Sequence, residues 1–387
     1  LAESSYRSAT SVVASFATPR RLAVAITDVL ETSPDQPVMR KLMPASVAYD
    51  PSGKPTVALQ RKLESLGRRH MASLGRNAVD GPDSLPIESD GKVDAVFLRS
   101  IAKGSPLQLG LQEALEQAIE RLPIPKVMSY SSHGAYYNGA KFVRPAHRLV
   151  PLFGSGVVNV TALGLEAGRV TGGHRALSRS DLHIATAEAY EETLHAEGKV
   201  IASFAERRSA IVDALGKAAT GATVIKPDAL LDEVTGLVEW PIVLEGRFDR
   251  GFLAVPQECL ILTMQQNQKY FALADAAGKL LPRFLVVTNI ETRDPAAIIE
   301  GNERVLGARL ADARFFFDQD CKTPLSARVP KLASNVYQHK LGTQLDRVAR
   351  IERLAVGFAS LTGADRSASE RAGHLAKADL TADMVGE

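Results

Sequence analysis

The chain has 387 residues, 46 Lys and Arg against 44 Asp and Glu for a net charge of +2, and 45% hydrophobic residues. That is enough for two or three globular domains and too apolar for wholesale disorder. Its apolar runs fall short of the ~18 residues that span a bilayer, and its two cysteines, Cys259 and Cys321, make neither a disulfide framework nor a Cys-x-x-Cys zinc site.

No secretory leader pattern opens the chain, so the cytoplasm is the expected compartment. Leu1 to Ser11 reads as helix-like without an initiator Met, and both ends read as cuts in a longer polypeptide. Leu22 to Ile26 is a short strand after the turn Thr18-Pro19. Residues 27–57, broken by Pro34, Pro37, Pro44, Pro51 and Pro55, read as a loop-rich excursion. Val93 to Leu98 is strand-like. Ser105-Pro106 then opens a helix, with Ser as N-cap and an apolar face of Leu111, Leu115, Ala118, Ile119 and Leu122.

Turn residues fill 129–141, and strands follow at 149–153 and 157–165. Helices are predicted near 186–196 and 203–219, the second opening with the capping box Ser203-Phe-Ala-Glu206. Gly221 to Pro227 is the best internal boundary. Helix 228–238, strand 241–245, helix 256–266 and a hairpin from Lys269–Leu273 through Asp275–Gly278 to Phe284–Asn289 come next. Everything beyond reads helical, at 295–320, 324–336, 343–362 and 367–385. The expected fold is α+β, with mixed or antiparallel sheets over 1–332 and an all-α tail over 333–387.

Several chemistries are missing from the sequence. No Gly-x-x-x-x-Gly-Lys-[Ser/Thr] loop, Gly-x-Ser-x-Gly elbow or His-Glu-x-x-His occurs, and none of the eight histidines is followed by Asp. The signals that remain are basic. Lys322 to Arg353 holds seven basic residues against Asp346 and Glu352, a local net charge of +5, with Arg304, Arg309 and Arg314 just before it. Lys141, Arg144, Arg148, Arg169 and Arg175 form a second cluster interleaved with His133, Tyr136, Tyr137, Phe142 and His147. Cations for phosphates and rings for unstacked bases are the footprint of an RNA surface, although a charge run is also what a solvated helix face looks like. Arg20-Arg21 reads equally as a phosphate clamp or as strand-edge charge. Phe315-Phe-Phe317 reads as core, and Trp240-Pro241 as packing at a helix-to-strand junction.

Eleven collinear blocks carry a resemblance. They begin with Phe16-Ala-Thr-Pro-Arg-Arg-Leu-Ala-Val24, Phe142-Val-Arg-Pro-Ala-His147, Gly173-His-Arg175 and Leu230-Leu-Asp-Glu-Val-Thr-Gly-Leu-Val-Glu-Trp-Pro241. Gln268-Lys-Tyr-Phe271, Gly278-Lys-Leu-Leu-Pro-Arg-Phe284, Gly301-Asn-Glu-Arg-Val305 and Arg309-Leu-Ala-Asp-Ala313 follow. Lys322-Thr-Pro-Leu325, His339-Lys-Leu-Gly342 and Lys377-Ala-Asp-Leu380 complete the series. From Phe16 onward the chain resembles the β subunit of the bacterial two-subunit glycyl-tRNA synthetase. One departure is Met128-Ser-Tyr130, which stands where many members carry Arg-Trp after that Met.

The resemblance implies a tRNA-binding, non-catalytic subunit of an aminoacyl-tRNA synthetase. Glycine activation with ATP and Mg²⁺ is then expected on a separate α subunit of an α2β2 assembly that charges tRNA(Gly), with no catalytic residue, metal or cofactor in this chain. It also implies that 333–387 begins an HD-like helical domain without its metal pair. The residues assigned to tRNA are Arg144, Arg175, Lys269, Arg304, Arg309, Lys340 and Arg347, with Arg20 and Arg21 as further candidates. Two other readings stay open: an HD-type metal-dependent phosphohydrolase using the C-terminal helices and His374, and an assembly module for the α subunit that does not touch RNA.

Overall fold

The computed structural model describes residues 6–75, 84–89, 91, 93–130, 139–178 and 181–386. Contacts divide the chain into two units, residues 1–15, 23–172 and 180–193, and residues 16–22, 173–179 and 194–387.

In the first unit, residues 6–11 are extended or turn instead of helix, and Arg7 bridges to Val29. Val13–Thr18 (β1) and Arg21–Ile26 (β2) pair as a ribbon whose tip, residues 16–22, is grouped with the second unit. The proline-broken stretch expected to be loop carries Gln36–Pro44 (β3), then Ala45–Ala48 (α1), and is followed by Val57–Ser65 (α2). Ile87–Ser89 (β4) and Asp94–Ala102 (β5) complete an antiparallel sheet in the order β3–β5–β4. An edge strand such as β3 tolerates Pro37 and Pro44 because half of its N–H groups face no neighbour. Leu59 and Leu63, one turn apart on α2, are fully buried in a core with Val96, Leu98 and Tyr49.

Leu107–Arg121 (α3) starts one residue later than the sequence suggests. Ser105 does not cap it, because its hydroxyl lies 2.6 Å from that of the buried Tyr6, and Pro106 takes the N-cap position. Beyond α3 the unit is built of short antiparallel ribbons. These are Met128–Tyr130 (β6) with Ala140–Phe142 (β7), and Leu152–Phe153 (β8) with Gly156–Val157 (β9). Thr161–Ala162 (β10) pairs with Leu165–Glu166 (β11), and Val170–Gly172 (β12) with Asp181–His183 (β13). Positive φ at Leu163 and Gly164 turns the chain inside what reads as one strand over 157–165.

The division between units falls within Tyr190–Ala196 (α4). The second unit then runs through Phe204–Ala218 (α5), Thr223–Ile225 (β14), Asp228–Thr235 (α6) and Ile242–Arg247 (β15). Gln257–Gln268 (α7), Phe271–Ala274 (β16), Leu280–Thr288 (β17) and Ala296–Cys321 (α8) follow. Its sheet is antiparallel in the order β14–β16–β17–β15. Period-two alternation sends Phe271, Leu273 and Leu285 to one core with Ile211, Leu215 and Val234 of α5 and α6. Ala272, Phe284 and Val286 go to the other, with Leu260 and Met264 of α7 and Leu306 and Leu310 of α8. Each such Leu or Phe contributes about 1.5–3 kcal/mol when fully buried. The stretch read as an internal boundary, 221–227, supplies β14, where Val224 pairs with Leu273.

The tail is not wholly helical. Leu325–Arg328 (α9) and a 3₁₀ segment, Val329–Ser334, lead into a hairpin of Val336–Gln338 (β18) and Gly342–Thr343 (β19). Gly342 has φ 87°, a conformation that glycine adopts without penalty. Gln344–Thr362 (α10), Arg366–Leu375 (α11) and Asp383–Gly386 (α12) complete the chain. Val329 and Leu332 share a small core with Val348 and Ala378, so residues on both sides of 332/333 pack together. Among the described residues, no helix is long and apolar enough to cross a membrane.

Candidate nucleic-acid interface

Three of the sequence blocks meet in the second unit around one buried carboxylate. Glu239 is 1% exposed, and its Oε1 pairs with the Arg21 guanidinium, itself 12% exposed. Thr18 Oγ1 donates to the same oxygen at 2.7 Å, and Arg21 Nη2 donates to the Gly173 carbonyl at 3.0 Å. From below, Asn289 Oδ1 accepts from the Glu239 and Trp240 amides at 2.7 and 3.0 Å. Gly173 is required by close approach, since a Cβ there would stand 2.9 Å from the Gly198 carbonyl. The turn after it is pinned by His174, whose Nδ1 accepts from the Ala176 and Leu177 amides at 3.2 Å and whose own amide donates to Gly198 O.

Arg207, on α5, is fully buried beside this group. It donates to the carbonyls of Thr235, Ile201 and Ala17 at 3.0, 2.6 and 2.6 Å. Burial lowers its pKa, and the nearby charge of Glu239 opposes that shift.

Arg20 and Arg175 sit at the rim of this cluster and are exposed. Among the described residues their side chains make no hydrogen bond or ion pair. Arg21, the first residue of β2, turns inward as an internal anchor, whereas Arg20, in the turn just before it, is exposed. Trp240 lies alongside, with Lys199 Nζ 5.0 Å from its ring and its Nε1 donating to Glu291 at 3.2 Å.

The second basic region is helical. Arg347 on α10 stacks over the ring of Tyr337 on β18, 4.3 Å from guanidinium carbon to ring centroid. Lys340, at the turn of the β18–β19 hairpin, is exposed, and its amide donates to Gln338 Oε1 at 2.7 Å. Both acids of the segment are engaged locally. Asp346 closes a capping box with Thr343, and hydrogen bonds from the Thr343 amide and hydroxyl hold its carboxyl below the usual carboxylate range. Glu352 Oε2 lies 3.2 Å from His374 Nδ1. Arg304 and Arg309 are both exposed on α8, but five residues of helix turn them about 140° apart.

The remaining candidates are dispersed. Lys269 is the left-handed C-cap of α7 and pairs with Glu233 at 2.9 Å. Arg144 is exposed in the first unit. The cluster read between 141 and 175 does not hold together. Arg148 pairs with Asp181, Arg169 donates to Ser155 O, and Arg175 belongs to the other unit. His133, Tyr136 and Tyr137 lie outside the described residues. Phe315, expected in the core, is 57% exposed, because only part of α8 faces the sheet. Among the described residues no group of three His, Cys, Asp or Glu side chains could hold a metal ion.

Glu239, Arg207 and Tyr337 are missing from the residues that the sequence singles out. For Glu239 a usable signal was present: a lone acid in the apolar run Leu237-Val238-Glu239-Trp240 has to find a cationic partner if buried.

Comparison with known proteins gives a consistent result. The profile described as "Glycyl-tRNA synthetase beta subunit" matches residues 2–387. The glycine–tRNA ligase beta subunit of Ralstonia nicotianae is 52% identical over 375 residues, covering 97% of this chain and 53% of that protein. That of Janthinobacterium sp. is 50% identical over 98% of this chain and 54% of its own length. That of Neisseria meningitidis serogroup B is 48% identical over 96% and 52%. The chain therefore spans about half the length of the curated relatives it matches.

Proposed function

The chain belongs to the glycyl-tRNA synthetase beta-subunit family, and from that premise we propose that it is the tRNA-binding, non-catalytic part of a glycine–tRNA ligase. The name of its relatives implies an alpha partner. In the proposed α2β2 assembly that partner binds ATP and Mg²⁺ and joins glycine to tRNA(Gly) in the cytoplasm, while this chain carries no cofactor. Residues 333–387 are read as the start of an HD-like domain.

The observation that most supports RNA binding is the Tyr337–Arg347 stack with Lys340 on the same hairpin. It offers a π-face and one cation on a folded ribbon with a second cation stacked on it from α10, and the acids Asp346 and Glu352 are already engaged elsewhere. Phosphate contacts fix the register of the tRNA so that its 3′ end reaches the partner's active site, and the gain is one of proximity.

Binding of tRNA(Gly) across a salt series tests the reading. Affinity is expected to fall steeply, by about 0.7–0.9 in log K per log salt for each phosphate engaged. A weak, flat response contradicts it and favours an assembly module. Mn²⁺-dependent phosphodiester hydrolysis abolished by His374→Ala would favour a phosphohydrolase, although His374 is paired with Glu352 here.

A further inference from the structure

We infer that Arg20 and Arg175 grip a single phosphate of the bound RNA, and that Arg21, fixed on Glu239, is the positioning residue that sets them side by side. The inference rests on the tRNA-binding reading above and deepens it. Arg20 and Arg175 are 155 positions apart in the sequence, so nothing local brings them together. What links their two turns is the Arg21 guanidinium, which spans from the Glu239 carboxylate to the Gly173 carbonyl. Arg20 is the residue before one end of that bridge, and Arg175 is two residues beyond the other.

Both attachment points are stiff. The Thr18 hydroxyl donates to Glu239 and accepts from the Arg20 amide at 3.2 Å, so one side chain ties the Arg20 backbone to the buried acid. The 173–177 turn is closed by the His174 ring and the Gly198 carbonyl. Arg21 pairs with the Glu239 carboxylate, and the buried Arg207 guanidinium lies within its electrostatic reach, so two cations are set against one acid at the base of the site. Guanidinium forks match phosphate oxygens in geometry, and a grip made of two of them is specific for position, not for base sequence. Glu291 is engaged by the Trp240 indole. A lysine at 21 keeps the charge but loses the fork that reaches two acceptors at once.

The test uses the full chain, a tRNA(Gly) transcript and a salt series on wild type, Arg20→Ala, Arg175→Ala, the double variant, Arg21→Lys and Glu239→Gln. Each single rim variant is expected to weaken binding about tenfold with little change in salt slope, because the second arginine still neutralises the phosphate. The double variant is expected to lose one phosphate's worth of slope, about 0.7–0.9. Arg21→Lys and Glu239→Gln are expected to reproduce the double variant's slope while both rim arginines remain. The chain has a single tryptophan, and it adjoins Glu239. Its emission is expected to change on tRNA addition in wild type and not in the double variant.

A double variant that loses twice that slope shows two independent phosphate contacts and overturns the shared grip. A double variant that binds as wild type overturns the site while the tRNA-binding reading stands. Wild-type binding by a folded Arg21→Lys or Glu239→Gln overturns the positioning role. If wild type itself shows no salt-dependent binding, both readings fail.

Discussion

The Arg328 guanidinium donates to Asp320 Oδ1 at 2.7 Å, with side-chain exposures of only 4% and 15%. The same carboxylate accepts from the amides of Asp383 and Met384 at 2.9 and 3.0 Å, and Arg328 Nη1 donates to Thr381 O. One carboxylate thus fastens the end of α8 to Asp383 and Met384 at the start of α12, and its Arg328 partner holds Thr381.

This carboxylate makes the C-terminal segment sensitive to acid. Burial alone raises the pKa of Asp320, but the two amides and the Arg328 charge outweigh it, and the group lies below the usual carboxylate range. A folded-state pKa below the unfolded value of about 3.9 stabilises the fold at neutral pH, and that contribution disappears as pH falls from about 4 through the folded value. Asp320→Asn is expected to cost about 3 kcal/mol at pH 7, as for a broken buried pair, and to flatten the fall in urea midpoint below pH 4. A wild-type midpoint in the variant would show that the pair does not hold the segment.

Arg207 is the most deeply buried charge described, and its role is structural. Arg207→Met keeps length and apolar bulk but leaves the carbonyls of Thr235, Ile201 and Ala17 without that donor. The expected loss is about 3–5 kcal/mol in chemical denaturation. A change under 1 kcal/mol would mean that water replaces the guanidinium at no cost.

The ring of Tyr337 is expected to matter through its face, not its hydroxyl. Tyr337→Phe keeps the surface under Arg347 and should bind tRNA as wild type does. Tyr337→Ala should lose about 1–3 kcal/mol of binding if a base stacks there. Equal affinities for the two variants would remove the ring from the interface.

Much of the second unit was legible because its periodicity is unbroken. Ile211 and Leu215 mark the buried face of α5, and Phe271 and Leu273 alternate with Ala272 as a strand covered on both sides requires. The family, too, was legible, in the order of its blocks. Strand β3 was not, because Pro37 and Pro44 are turn signals unless the strand lies at an edge, which only tertiary pairing decides. The exposure of Phe315 was hidden for the same reason: three adjacent aromatics do not say which of them faces the sheet. The anchor at Glu239 lies 218 residues from its partner Arg21, beyond any local spacing rule.

The central claim, that this chain holds tRNA for a partner that does the chemistry, is tested most directly by aminoacylation. The measurement pairs the alpha subunit with the full-length beta chain carrying Lys340→Ala and Arg347→Ala. The account predicts a KM for tRNA(Gly) raised about tenfold, equivalent to roughly 1.4 kcal/mol, with the KM values for glycine and ATP unchanged. An unchanged KM for tRNA, with both charges gone and the protein folded, would contradict it.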